Sequence, residues 1–112
     1  MLRPGALVVA EHDRRIIGWG FLDKDASQVE AVFVDPDYQR RGVASRILAM
    51  IEDIARRAGV ISLTLSSTLN AVPFYEHRGF VRCRQTKYHH PDGFDLDCVV
   101  MVKELDAGVG LV

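Results

Sequence analysis

The 112-residue chain has few of the residues that build metal sites or disulfide scaffolds. Its only cysteines are Cys83 and Cys98, and their separation matches no zinc-binding pattern. The pattern favours two buried free thiols over a disulfide, as is usual in an intracellular protein. The four histidines also lack ligand spacing, which argues against a metal-dependent regulator. We therefore predict no metal site.

Charge and hydrophobic runs exclude two further classes of protein. The chain has 14 Lys and Arg residues against 15 Asp and Glu residues, which gives a formal net charge of −1. Nucleic-acid-binding proteins usually present a strongly basic face, so we expect no nucleic-acid partner. The apolar runs are too short to cross a membrane, and the N-terminus lacks the architecture of a signal peptide. These absences predict a cytoplasmic protein without membrane association.

What is present is the composition of one globular domain, with 48% hydrophobic and 26% charged residues. Hydrophobic patterning and turn residues predict one long helix over 43–58, a short helix ending at His77, and six strands. The strands are expected at 6–10, 15–22, 28–34, 60–65, 80–88 and 96–105. The fold class is therefore α+β, a twisted mixed β-sheet with both helices packed on it. We expect a core over about 6–105 and a loose tail over 106–112.

The helix over 43–58 has apolar residues at three- and four-residue intervals, which is one buried face. Gly59 is its expected C-cap. The pairs Glu52–Arg56 and Asp53–Arg57 stand four residues apart on the polar face, which suits exposure to solvent. The strand after this helix should pair in parallel with the strand at 28–34, or splay beside it.

The start of this helix is the most informative stretch of the chain. A helix N-terminus has free N–H groups and a partial positive charge, so it attracts anions and above all phosphates. Gly42 and Ala44 leave room for close approach, and Arg40 and Arg41 add charge. The alternative is a glycine that only makes a turn, beside arginines on the solvated surface. A P-loop is excluded because no Lys-Ser or Lys-Thr pair follows. A dinucleotide fingerprint at Gly18-Trp19-Gly20 fails because Asp23 stands where a third glycine is needed.

Two motifs resemble those of the GNAT (general-control-related) superfamily of N-acetyltransferases. The run Gln39-Arg40-Arg41-Gly42-Val43-Ala44 resembles its Q/R-x-x-G-x-G/A motif. The run Pro73-Phe74-Tyr75-Glu76-His77-Arg78-Gly79-Phe80 resembles its second signature. The resemblance covers about residues 6–105. It implies an enzyme that moves an acetyl group from acetyl-CoA to an amine of a small molecule or peptide by direct attack.

The resemblance also implies which residues contact acetyl-CoA. Main-chain groups of the third strand would hold the pantetheine arm, and the helix start would hold the diphosphate. Family members often place an asparagine seven residues before the tyrosine, where this chain has Thr68. Asn70 stands two residues late, so its alternative role is a helix cap. The implied contacts are Phe33, Val34, Gln39, Arg40, Arg41, Gly42, Val43, Ala44, Thr68 and Asn70.

Two residues are candidates for moving protons. Tyr75 matches the family tyrosine and would protonate the departing thiolate; the alternative is a core tyrosine with a satisfied hydroxyl. Glu30 would accept the proton of the amine, directly or through water. Simple strand alternation places it on the face of Val32 and Val34, and burial there would raise its pKa. The alternatives are a solvated edge glutamate, or a base at His89 or His90 on a turn.

Two departures from the family pattern affect the acceptor. In the ribosomal-protein N-terminal acetylases, which the central motif also resembles, a catalytic glutamate falls where this chain has Leu63. This argues against specificity for peptide N-termini. Family members also usually begin with a strand and two helices that wall the acceptor pocket. Without them the acceptor site is open, is completed by another subunit, or belongs to a longer gene product.

The missing helices also bear on assembly and on the competing function. Several strands are apolar on both faces, but the chain supplies helices for only one of them. Exposed apolar patches usually mark interfaces, so we predict a homodimer. The competing function is a non-catalytic acyl-CoA-binding or interaction module.

Overall fold

The computed structural model describes residues 5–105, which form a six-stranded mixed sheet with two helices, so the predicted α+β class is confirmed. The helices are α1 (Val43–Arg57) and α2 (Val72–His77). The strands are β1 (Gly5–His12), β2 (Arg15–Asp23), β3 (Gln28–Val34), β4 (Ser62–Thr68), β5 (Val81–His89) and β6 (Asp95–Glu104). Their order is β1-β2-β3-β4-β6-β5, and only β3 and β4 pair in parallel. The predicted tail over 106–112 lies outside the described residues.

Helix α1 buries the face that its apolar spacing predicts, with Ile47, Leu48 and Ile51 almost fully enclosed. It ends at Arg57, with Ala58 as C-cap and Gly59 in the left-handed conformation that follows many helices. The prediction of a fully solvated polar face is wrong for one residue. Glu52 is only 7% exposed, because a lysine from β6 lies over it.

Two glycines of β2 let α1 lie close to the sheet. A Cβ at Gly20 would be 2.7 Å from Ile47 Cγ2, and one at Gly18 would be 3.0 Å from Ile47 Cδ1. Either side chain would force the helix away from the strand. These close contacts place the N-terminus of α1 beside the end of β3, where the candidate site forms.

Strands β3 and β4 separate soon after they meet. Their ladder has one pairing, Gln28 with Thr64, and the Thr64 N–H donates to the Ser27 carbonyl at 3.0 Å. The sequence left parallel pairing and splaying as alternatives, and both occur, at opposite ends of the same strand pair. Beyond Thr64, no ladder bridge joins the two strands in the described part of the chain. The opening between them is the basis of the site.

The last hairpin, β5–β6, carries both cysteines. Both thiols are free, as the sequence indicates. Cys98 is buried, but the expectation of burial is wrong for Cys83, which lies on β5 at the edge of the sheet. Neither helix among residues 5–105 is long and apolar enough to cross a bilayer.

Candidate active site

A cavity of about 650 Å³ lies where β3 and β4 diverge, between the start of α1 and the helix α2. Its volume is in the range of small-molecule sites. Its walls combine apolar side chains with helix-terminal main chain. The lining residues are Val32, Val34, Tyr38, Gln39, Arg40, Gly42, Val43, Ala44, Ser45, Asn70, Ala71, Phe74 and Tyr75.

The loop that leads into α1 is held in place before the motif begins. The Asp35 N–H donates to the Ile17 carbonyl at 2.7 Å, which ties the loop to β2. The Asp35 carboxylate accepts from the Asp37 N–H at 2.9 Å and caps a single 3₁₀ turn, Pro36–Tyr38. Gln39 Nε2 then donates to the Val34 carbonyl at 3.2 Å. Gln39 therefore fixes the loop to the end of β3.

The N-terminus of α1 is open to an anion. Gly42 is its N-cap, with φ of 82°, and no side chain caps the helix. The first intrahelical bond runs from the Arg46 N–H to the Gly42 carbonyl at 3.1 Å, so the preceding amides have no helical acceptor. A Cβ at Gly42 would meet no heavy atom of the described residues within 4 Å. The space before these amides suits a diphosphate.

The two arginines of the motif have different surroundings. Arg40, with φ of 65°, lines the cavity. The guanidinium of Arg41 lies 5.2 Å from the centre of the Tyr38 ring. Arg41 lines a separate cavity of about 430 Å³ between β1 and α1. Of the predicted diphosphate contacts, Arg41 is therefore the one outside the cavity.

On β3, Val34 lines the cavity and Phe33 does not. Phe33 is 49% exposed, and its ring centre lies 6.3 Å from that of Trp19 on the sheet face away from α1. The Asp35 N–H donates to a carbonyl of β2, and successive residues of a strand direct their main-chain N–H and C=O groups to opposite sides. The main-chain groups of Val34 and Val32 therefore point away from β2, into the opening. Val32 and Val34, instead of Phe33, can therefore offer main-chain groups to an extended ligand.

Asn70 lines the cavity, whereas Thr68 does not. Thr68 precedes a 3₁₀ turn, Leu69–Ala71, and its carbonyl accepts from Ser67 Oγ at 2.7 Å. The N-cap of α2 is Ala71, and no side chain caps that helix. The alternative that Asn70 is a helix cap is therefore wrong.

Tyr75 lines the cavity in a partly buried position. Its ring contacts Phe74 and Phe80 edge-on, at centroid distances of 5.1 and 5.8 Å. Within residues 5–105 the structure gives its hydroxyl no hydrogen-bond partner. Burial removes water from the phenol and raises its pKa above the ordinary value of 10.0. The hydroxyl is thus protonated at neutral pH and able to donate.

Glu30 lies outside the cavity. Phe21 pairs with Ala31 and Leu22 with Val29, so Glu30 is the extra residue of a β-bulge. The bulge puts Val29 in the core, and Glu30 is exposed. The prediction that Glu30 shares the face of Val32 and Val34 is therefore wrong, because strand alternation fails at a bulge. Its role as base stays a prediction.

The two histidines lie on the β5–β6 hairpin and do not line the cavity. His89 Nδ1 is 2.7 Å from Asp95 Oδ1, and the His90 ring stacks on Phe94 at 4.3 Å. No group of three His, Cys, Asp or Glu residues among residues 5–105 is arranged to hold a metal ion.

Several lining residues were not identified from the sequence. They are Val32, Tyr38, Ser45, Ala71 and Phe74. Ser45 could have been found, because it lies in the first turn of the helix whose amides face the cavity. Phe74 could have been found as the aromatic partner of Tyr75 in the second motif. Tyr38 and Ala71 depend on how the chain turns and carry no clear sequence signal.

Comparison with known proteins gives a consistent assignment. A family model described as an acetyltransferase (GNAT) domain matches residues 2–104. The uncharacterized N-acetyltransferase YafP of Escherichia coli K12 is 34% identical over 68 residues, which cover 61% of this chain and 42% of YafP. The [ribosomal protein bS18]-alanine N-acetyltransferase of E. coli K12 is 33% identical over 82 residues, covering 69% of this chain and 55% of that enzyme. The chain thus spans about half the length of these relatives.

A similar solved structure is that of a GCN5-related N-acetyltransferase from Rhodopseudomonas palustris. It superimposes with a TM-score of 0.85 and 26% identity, over 90% of this chain and 62% of that one. The agreement includes the mixed sheet on which the cavity is built.

Proposed function

Because the chain belongs to the GNAT acetyltransferase family, we propose that it transfers an acetyl group from acetyl-CoA to an amine. One observation carries the proposal. A single cavity is lined both by the open N-terminus of α1 and by Tyr75 of α2, which carries a phenolic hydroxyl. The first can hold a diphosphate and the second can supply a proton, and acetyl transfer from a thioester needs both.

In this proposal the main chain does most of the binding. The amides from Gly42 to Ser45 hold the diphosphate, and Arg40 adds positive charge beside it. The main-chain groups of Val32 and Val34 pair with the amides of the pantetheine arm. The arm thus lies beside β3 where a continuous β4 would otherwise pair. A main-chain N–H that faces the opening is available to stabilise the oxyanion of the tetrahedral intermediate.

The chemical step then needs only proton transfers from the protein. The amine nitrogen attacks the thioester carbonyl, a C–N bond forms, and the C–S bond breaks. Tyr75 gives its phenolic proton to the leaving sulfur and regains one from solvent. The proton lost by the amine passes to a base, for which Glu30, acting through water, remains our candidate.

Two findings bear on the identity of the acceptor, and they point in opposite directions. One relative acts, by its name, on the alanine of a ribosomal protein. The catalytic glutamate implied by the resemblance to ribosomal-protein N-terminal acetylases would align with Leu63. Leu63 is 0% exposed and part of the core. We give more weight to Leu63, because it is a residue of this chain, and expect small-molecule amines to be better acceptors than peptide N-termini.

The test is release of free thiol from acetyl-CoA, measured with and without a panel of amines that includes short peptides. Amine-dependent release supports the transferase. Binding of coenzyme A without release for any amine would instead support the competing function, an acyl-CoA-binding module.

We further propose that the protein is a homodimer. Both helices contact one face of the sheet through the core. The opposite face of β1–β3 exposes Leu7, Val9, Trp19 and Phe33. An apolar patch of this kind usually lies in an interface, and a second copy would cover it. The cytoplasmic location expected from the sequence stays a prediction.

A further inference from the structure

Lys103, on β6, joins the two helices. Its Nζ lies 2.8 Å from Glu52 Oε1 on α1 and 2.8 Å from the carbonyl oxygen of Arg78, the C-cap of α2. Within residues 5–105, only the hydrogen bonds and the ion pair of Lys103 connect α1 to the end of α2. A cation that donates to the last carbonyl of a helix also offsets the negative end of its dipole.

The burial of Glu52 favours the arrangement in which Lys103 contacts it. Glu52 is 7% exposed, and its other cationic neighbour, Arg56, is more distant, at 3.6 Å. Because an unpaired buried carboxylate is strongly unfavourable, Glu52 needs the ammonium close by. Gly79 leaves room for the stem of Lys103, because a Cβ at Gly79 would lie only 3.2 Å from Lys103 Cε.

The C-terminal end of α2, which Lys103 contacts, is also the turn that contains Tyr75. The N–H groups of Arg78 and Phe80 each donate to the Tyr75 carbonyl at 3.0 Å. The Phe80 ring packs edge-on against Tyr75, and Lys103 Nζ lies 5.9 Å from the centre of that ring. Movement of Lys103 would therefore move the main chain and the packing partner of Tyr75 together.

We infer that Lys103 is a positioning residue. By tying the Arg78 carbonyl to Glu52, it sets the place of the Tyr75 hydroxyl relative to the N-terminus of α1, across the cavity. This inference rests on the proposed function, in which Tyr75 donates its proton to the leaving thiolate of acetyl-CoA. It adds a residue outside both family motifs to the machinery of the site.

The principal variant is Lys103→Met, which keeps the length of the side chain and removes the charge. The double variant Glu52→Gln/Lys103→Met removes both charges and covers the case in which a lone buried carboxylate prevents folding. Lys87→Met is the matched control, since Lys87 pairs at 3.7 Å with Asp97 on the exposed hairpin. For whichever of the first two variants folds, we expect kcat to fall about tenfold or more with KM for acetyl-CoA changed less than about twofold.

A second measurement does not depend on activity. We expect amide hydrogen exchange at Arg78, Gly79 and Phe80 to be faster than in the parent by about tenfold when Lys103 is replaced, and unchanged in the control. If the parent releases no thiol, the proposed function fails, and exchange alone judges the tie between the helices. Exchange equal to that of the control would overturn the inference. So would a parent-like kcat, or a loss confined to KM.

Discussion

The sharpest test of the site replaces Gly42 with valine and uses Gly59→Val as its control. These glycines flank the two ends of α1 and have nearly the same φ, 82° and 84°. A Cβ at either would meet no heavy atom of the described residues within 4 Å. Both substitutions put a β-branched residue at a positive φ, where the left-handed region costs about 1–2 kcal/mol or more. They differ in what occupies the space beyond the glycine.

At Gly42 that space is the mouth of the cavity, where we place the diphosphate. A valine there would block one or two hydrogen bonds from main-chain amides to phosphate oxygens. Each charge-assisted bond is worth about 1.5–3 kcal/mol. Loss of one such bond raises Kd for coenzyme A about 10- to 150-fold. At Gly59 the space is solvent, at the far end of the helix, and we expect Kd to match that of the parent.

The assay is isothermal titration calorimetry with coenzyme A, at a temperature where circular dichroism shows all three proteins folded. A shared loss of thermal stability in both variants is expected from the common strain. An affinity of Gly42→Val equal to that of the parent would refute the placement of the diphosphate. An equal weakening in both would show that helix strain, and not obstruction, controls binding.

Four other changes test separate parts of the model. Tyr75→Phe should lower kcat about a hundredfold with little change in the affinity for coenzyme A, and an unchanged rate would remove Tyr75 as the acid. Burial raises the native pKa of Tyr75 above 10.0, so the unfolded chain loses the phenolic proton at a lower pH than the native protein does. The parent should therefore lose stability as the pH rises from about 10 towards the native pKa. Urea titrations of Tyr75→Phe should lack this loss. Glu30→Gln should flatten the acidic limb of the rate–pH profile, and a profile identical to that of the parent would exclude Glu30. Phe33→Glu should convert a dimer to a monomer in light scattering, whereas Val81→Glu, at an exposed apolar residue of β5, should not; a monomeric parent would contradict the dimer.

Local chemistry accounts for what the sequence alone determined. The apolar spacing of Ile47, Leu48 and Ile51 defines the buried face of α1 without reference to the rest of the chain. The Gly42 turn and the unpaired amides after it follow from the geometry of any helix N-terminus. The role of Tyr75 was implied only by the resemblance of the second motif, and the structure shows that its ring lines the cavity beside Phe74 and Phe80.

Only the tertiary structure decided the features that depend on residues far apart in the chain. Period-2 alternation placed Glu30 with Val32, but pairing with β2 introduces a bulge that no local pattern of β3 reveals. The spacing of Glu52 and Arg56 indicates a solvated pair, yet Lys103, 51 residues further on, buries Glu52. Hydrophobic periodicity reports which side of an element is apolar, because that is a property of neighbouring residues. It does not report which polar groups the fold brings together, because that depends on how the strands register and how the helices pack on them.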